Sequence, residues 1–197
     1  MARTRATDYE DKQRHILDTA AAVVTEAGMD KSSMAEIARQ AGVSKALLYH
    51  YYQSKDELIF DIVRRHLLNL DTAIEKANNP ELEPNRRLGK LIAAVIDQYE
   101  NADKLHQVQL SCMGKLPSTM TEQLRDIDRQ IVRRFAEVIS DINPKLTMDR
   151  HQLMPVTMTL FGTFNWIYMW FREDGELSRE DYATLLTSLF LNGVTSL

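Results

Sequence analysis

Cross-linking and chain-breaking residues are scarce in this sequence: 197 residues hold one cysteine, five prolines and seven glycines. The lone thiol, Cys112, excludes an internal disulfide framework and a cysteine-based zinc site, and it fits a reducing, cytoplasmic compartment. With so few breakers, and with apolar residues recurring three and four apart rather than alternating, an all-α chain is the expected class. The N-terminal run "MARTRATDYEDKQR" lacks the apolar core of a secretory signal. No H-E-x-x-H or other metal-ligating spacing links His15, His50, His66, His106 and His151. No glycine-rich phosphate loop or G-x-S-x-G elbow appears, so neither a catalytic residue nor a cofactor is expected and a small helical enzyme is a remote alternative. A basic excess is also missing. The net charge of −4 gives no global attraction to nucleic acid, and any such binding must come from a local surface.

What is present is the composition of an ordinary globular chain, 44% hydrophobic and 26% charged. The length suits one sizeable core, or a small domain joined to a larger one. A first helix is expected over about Tyr9–Ala27, ended by Gly28. Ser33 with Glu36, and Ser54 with Glu57, have the spacing of capping boxes that open the second and fourth helices. The third runs from about Lys45 to Tyr52, and "NNPELEP" is the clearest break. Further helices are expected over about Asn85–Tyr99, Ala102–Met113, Ser118–Ile142, Asp149–Phe171 and Ser178–Val194. The stretch Gln152 to Phe171 carries no charge and is long enough to span a bilayer. Its threonines, Asn165 and Pro155, together with amphipathic neighbours, favour a central bundle helix over a membrane anchor.

Two short helices joined by "AGVS" form a helix-turn-helix pattern. Gly42 supplies the positive backbone angle of the turn, Ala38 allows close approach, and Ser44 can cap the third helix. At 3.6 residues per turn, Leu48 and Tyr52 share a core face, while Tyr49, His50 and Tyr51 project outward. Lys45 and Ala46 sit at the N-terminal end, which meets base edges in this docking mode.

The segment "SMAEIARQAGVSKALLYHYYQSKDEL" resembles the DNA-binding signature of the tetracycline-repressor (TetR) family. The match runs through Ser33, Ile37, Ala38, Ala41, Gly42, Val43, Ser44, Leu48, Tyr49, Tyr51, Lys55 and Leu58, with Tyr52 where phenylalanine is usual and Met29 replacing a common aromatic. The resemblance implies that Ser33, Ser44, Tyr49 and Lys55 hold the DNA backbone, and that Lys45, Ala46, Leu47, His50 and Tyr51 face the major groove. Arg3 and Arg5 can reach the backbone or minor groove. Residues 1–55 hold eight Lys/Arg against seven Asp/Glu, so this head is nearly neutral and depends on a particular operator. Lys55→Ala is then expected to give a shallower salt slope, Tyr49→Phe to weaken operator binding, and Tyr52→Phe to change neither binding nor fold.

The resemblance further implies about nine helices: a three-helix DNA-binding domain over 1–55, and a ligand-binding and dimerisation domain over 56–197. The homodimer would read an inverted repeat of double-stranded DNA. Gly162, Thr163, Leu186, Leu189, Phe190 and Gly193 are the candidate dimer residues, with both glycines permitting close helix approach. Leu160 to Ser178 resembles regulators of fatty-acid, steroid and aromatic-acid catabolism, whose effectors are often acyl-CoA thioesters. Met113, Met158, Phe161, Asn165, Trp166, Met169 and Trp170 are the candidate ligand lining, and Arg129 and Arg133, with Arg125 and Arg172, the candidate phosphate partners. An efflux-pump regulator answering hydrophobic drugs is the alternative within the family. The same methionines and tryptophans also read as ordinary core, and the arginines as a solvated helix face.

Overall fold

The described residues of the computed structural model, Ala2–Glu100, Ala102–Met148 and His151–Leu197, form ten α-helices and one 3-10 turn with their connections. The side chains of residues 2–8, Glu10 and Met148 lie outside that description, and so do the side chains of Arg3 and Arg5. In chain order the helices are α1 (Ala2–Ala27), α2 (Met34–Gln40), α3 (Lys45–Tyr51), α4 (Lys55–Ala77), α5 (Pro84–Gln98), α6 (Asp103–Cys112), α7 (Ser118–Ile142), α8 (Lys145–Met148), α9 (Leu153–Trp170) and α10 (Arg179–Ser196). The turn Met113–Lys115 follows α6.

The contacts separate into two compact units, Met1–His66 with Ala102–Leu124, and Leu67–Asn101 with Arg125–Leu197. In the first, α1 buries Ile16, Leu17, Ala20, Val23 and Val24, while α4 adds Leu58, Ile59, Ile62 and Val63. Helix α6 packs on α1 and buries Val108 and Cys112. Lys115 reaches from the turn after α6 to Asp30, at 3.0 Å.

The second unit is centred on three phenylalanines, Phe135 on α7 with Phe161 and Phe164 on α9. Their centroids lie 5.2–5.8 Å apart, all edge to face. Helices α5 and α10 lie side by side. A Cβ on Gly89 would meet the Thr187 methyl at 3.2 Å, so glycine permits that approach. Arg179 closes the end of α5 by donating to the Ile96 carbonyl at 2.9 Å, and it pairs with Glu173.

The sequence reading differs from the structure in two elements: α1 starts at Ala2 rather than at about Tyr9, and one helix is additional to those expected. After Ile142 the chain makes an extra short helix, α8, because Asn143 Oδ1 accepts from the Lys145 amide and Pro144 suits a helix start. Asn143 Nδ2 also donates to the Val194 carbonyl, tying this corner to α10. Helix α9 tolerates Pro155 because it lies in the first turn, where the amide has no partner within the helix. No helix among the described residues is long and apolar enough to cross a membrane.

Two buried imidazoles, His66 on α4 and His106 on α6, lie 5.7 Å apart in the first unit. Burial, and secondarily His106, pushes His66 down to about 3. The unfolded imidazole takes its proton near pH 6.5 while the folded one stays neutral. This contribution to stability is therefore complete above about pH 6.5. It is lost as the pH falls toward the folded value, by up to about 1.4 kcal/mol per pH unit. His66→Leu should flatten the rise of unfolding free energy between pH 5 and 7, measured by urea denaturation at several pH values.

Candidate nucleic-acid interface

Helices α2 and α3 have seven residues each, too few to persist alone in water. Each is therefore defined at its ends. Ser33 accepts from the Glu36 amide at 3.2 Å, and Ser44 from the Leu47 amide at 3.0 Å. Helix α2 stops at Gly42, whose φ is +64°. There the Val43 amide donates to the Ala38 carbonyl and the Gly42 amide to that of Arg39, the Schellman arrangement. The expected reciprocal half of the first capping box is missing, because the Glu36 carboxylate is held by Arg39 at 2.6 Å and 2.9 Å and by Gln40 at 2.9 Å. Those hydrogen bonds, that of Arg39 first, lower Glu36 to about 2.

Behind the pair, Ile37 and Leu48 are fully buried and Ala38 nearly so. In front, Ser44, Lys45, Ala46, Tyr49 and His50 are exposed, while Leu47 is half-buried. The Lys45 ammonium stands 5.8 Å from the Tyr49 ring centroid. Ser33 is exposed at the start of α2.

Two side chains, Tyr51 and Lys55, sit differently from the sequence reading, and Tyr52 lies in the core as expected but with partners for its hydroxyl. Tyr51 is half-buried, because its ring stacks on Tyr9 of α1 with centroids 4.7 Å apart. Lys55 turns inward and donates to the carbonyls of Met29 at 2.6 Å and Ser32 at 3.0 Å. Tyr52 is core, at 5% exposure, yet its hydroxyl has work. It donates to Asp61 Oδ2 at 2.7 Å and accepts from Gln13 Nε2 at 3.0 Å. Burial first, then the Asp61 hydrogen bond, raises this phenol above its ordinary value. The one available signal was chemical: a phenol in a core position needs a hydrogen-bond partner.

The candidate dimer and ligand residues fall in the second unit, apart from Met113 in the first. On α9, Phe161 is buried and Asn165 half-buried, while Met158 (47% exposed), Trp166 (61%), Met169 (59%) and Trp170 (46%) lie at the surface. Gly162 of α9 and Gly193 of α10 are exposed, and a Cβ on either would meet nothing. Thr163, Leu186, Leu189, Phe190 and Gly193 line a cleft of about 440 Å³ with Val156, Thr159, Val194 and Leu197. Arg129 and Arg133 are exposed on α7, Arg129 bonded to Asp126 at 2.8 Å, and Arg172 pairs with Asp174.

A capped two-helix turn with a polar, ring-bearing outer face, followed by a long helical region, defines a helix-turn-helix regulator. The profile "Bacterial regulatory proteins, tetR family" matches residues 16–62, and "Tetracyclin repressor-like, C-terminal domain" matches 81–194, more than half of the chain. The chain belongs to the TetR family of transcriptional regulators. It is 32% identical over 92 residues to the transcriptional activator FasR of Mycolicibacterium smegmatis, a match covering 47% of this chain and 42% of FasR. FasR and the Brucella BetI regulators are thus matched over less than half of their own length. A TetR-family regulator from Bordetella parapertussis superposes with a TM-score of 0.87 at 28% identity, over 94% of this chain and 96% of that one. AibR, solved with isovaleryl coenzyme A and operator DNA, superposes at 0.78 over 90% of this chain and 97% of its own. At 24% identity that likeness is one of fold.

Because Lys55 holds two carbonyls of the α1–α2 connection, Lys55→Ala should cost about 1.5–3 kcal/mol of folding stability, the range for hydrogen bonds to a charged group. Chemical denaturation in the absence of DNA measures it.

Proposed function

We propose that this regulator binds an inverted-repeat DNA operator as a homodimer and is released by a small hydrophobic effector. The carrying observation is the division of α3, with Leu48 and Tyr52 buried and Ser44, Lys45, Ala46, Tyr49 and His50 outward. On this reading Ser33, Ser44 and Tyr49 hold phosphates, while Lys45, Ala46, Leu47 and His50 meet base edges. Tyr51 acts from behind them through its stack on Tyr9, and Lys55 through the α1–α2 connection that leads into α2. Residues 1–55 form the DNA-binding head and 56–197 the sensing and dimerising region, acting in the cytoplasm. Selection of bound genomic fragments, followed by titration of a recovered fragment at several salt concentrations, tests this. Affinity for the recovered fragment should fall as salt rises and exceed that for scrambled DNA. Equal affinity for the two would remove the operator reading. FasR is an activator by name, so the sign of control is read from transcription of the recovered promoter with and without the protein.

The dimer face is proposed on α9 and α10. Met154, Met158, Trp166 and Met169 on one helix, and Leu185 and Leu189 on the other, are all at least 47% exposed, which is costly for an isolated chain. Gly162 and Gly193 leave room for partner backbone, in a two-fold arrangement that uses the same residues twice. This reading gives Met158, Trp166 and Met169 to the partner rather than to the effector. Leu189→Glu should yield a monomer in sedimentation velocity and lose operator affinity together with it.

The effector proposed is an acyl-CoA thioester. The AibR fold likeness supports that class, as do exposed Arg129 and Arg133 as partners for phosphate groups. A thermal-shift series of acyl-CoA thioesters against their free acids should show stabilisation by a thioester alone. For a ligand at about 100 times its Kd this amounts to roughly 2.7 kcal/mol.

A further inference from the structure

Helix α3 is seven residues long, so its direction depends on where its two ends are fixed. Its middle is seated by Leu48, fully buried. One apolar contact sets depth but leaves the helix free to tilt and roll about that point. The second fixed point is at the C-terminal end, where Tyr52 is the capping residue and its amide donates to the Leu48 carbonyl. From there the ring runs into the core, and the hydroxyl lies between two other helices. It donates to Asp61 of α4 and accepts from Gln13 of α1, while Gln13 Nε2 also approaches Asp61 Oδ2 at 3.3 Å. Three helices thus meet at one phenolic oxygen. The bond to the carboxylate, at 2.7 Å, belongs to the strong, charge-assisted class and is directional, unlike the apolar contact at Leu48.

We propose that the Tyr52 hydroxyl is a positioning residue for DNA reading, a pin between α3, α4 and α1 that fixes the orientation in which α3 is presented. Tyr52 touches no DNA itself. The phenol is a donor at physiological pH even at its ordinary ionisation value, and burial raises that value further. The Tyr51 ring stacked on Tyr9 supports α3 from the same side, which leaves Tyr49 and His50 as the outward rings of the four. This inference rests on the operator-binding reading above and adds a residue to it. Directional hydrogen bonds to base edges carry the sequence code, whereas non-specific binding is sequence-independent charge attraction, so loss of the pin should reduce specific binding far more than non-specific binding.

The probes are a duplex recovered by selection with the wild-type protein and a scrambled duplex of equal length and composition, titrated at one salt concentration and well below each variant's melting temperature. Tyr52→Phe keeps the ring and removes the oxygen; Asp61→Leu removes the acceptor; Asp61→Asn retains one acceptor oxygen. Tyr52→Phe and Asp61→Leu should each lower the ratio of specific to scrambled affinity about tenfold, the scale of one disturbed base-pair contact. Asp61→Asn should recover most of it. A melting temperature lowered in Tyr52→Phe with an unchanged affinity ratio makes the hydroxyl merely structural and overturns the proposal. An Asp61→Asn loss equal to that of Asp61→Leu overturns it too, since the hydrogen bond would then not be the operative link. Should Asp61→Leu fail to fold, Tyr52→Phe against Asp61→Asn decides alone. A wild-type protein with no preference for any duplex removes the operator reading itself, a result separate from either of these.

Discussion

Everything outward-facing on α3 depends on the constraint that a helix of two turns cannot sustain itself. Its hydrogen bonds inside the helix are too few to offset the ordering of its backbone, so tertiary contacts must supply the difference. Here they come from a serine cap at one end, Leu48 in the middle and the Tyr52 phenol at the other. Helix α2 is held in the same manner, by Ser33 and by the Gly42 turn. The outer face can then carry residues chosen for a partner rather than for packing. Lys45, Tyr49 and His50 contribute little to the core, which makes their presence there meaningful.

The other end of the chain divides its surface by a different rule. Helix α9 has no charge along its length, yet only one side of it is core: Thr157, Leu160, Phe161, Phe164 and Ile167. The opposite side offers Trp166 and Met169 to the surface, and α10 does likewise with Leu189 at 70% exposure. The exposed side chains of α9 and α10 are the observation behind the dimer face proposed above.

How much was legible in the sequence depended on how far each residue had to reach. Gly42, Ser44 and Leu48 were readable because a turn, a cap and a helical phase are decided within a few residues. The roles of Lys55 and Tyr51 were not. Their partners, Met29 with Ser32 and Tyr9, lie 23 to 26 and 42 positions away, and helical phase says nothing about a flexible lysine's direction. Helix α9 failed for the opposite reason: with every side apolar, no phase separates a buried Phe164 from an exposed Trp166. The short α8 escaped because it has one turn and no periodicity to show.

The packing of α6 on α1 bears on how such a regulator can be recombined. A chimera cut after residue 55 and joined to a foreign sensor would leave behind α6, and with it the Val108 and Cys112 side chains buried in the first unit and the Lys115 partner of Asp30. The transplanted head would carry an uncovered apolar strip on α1. The compact unit that contains the helix-turn-helix is discontinuous, residues 1–66 together with 102–124, and so extends beyond the proposed head of residues 1–55.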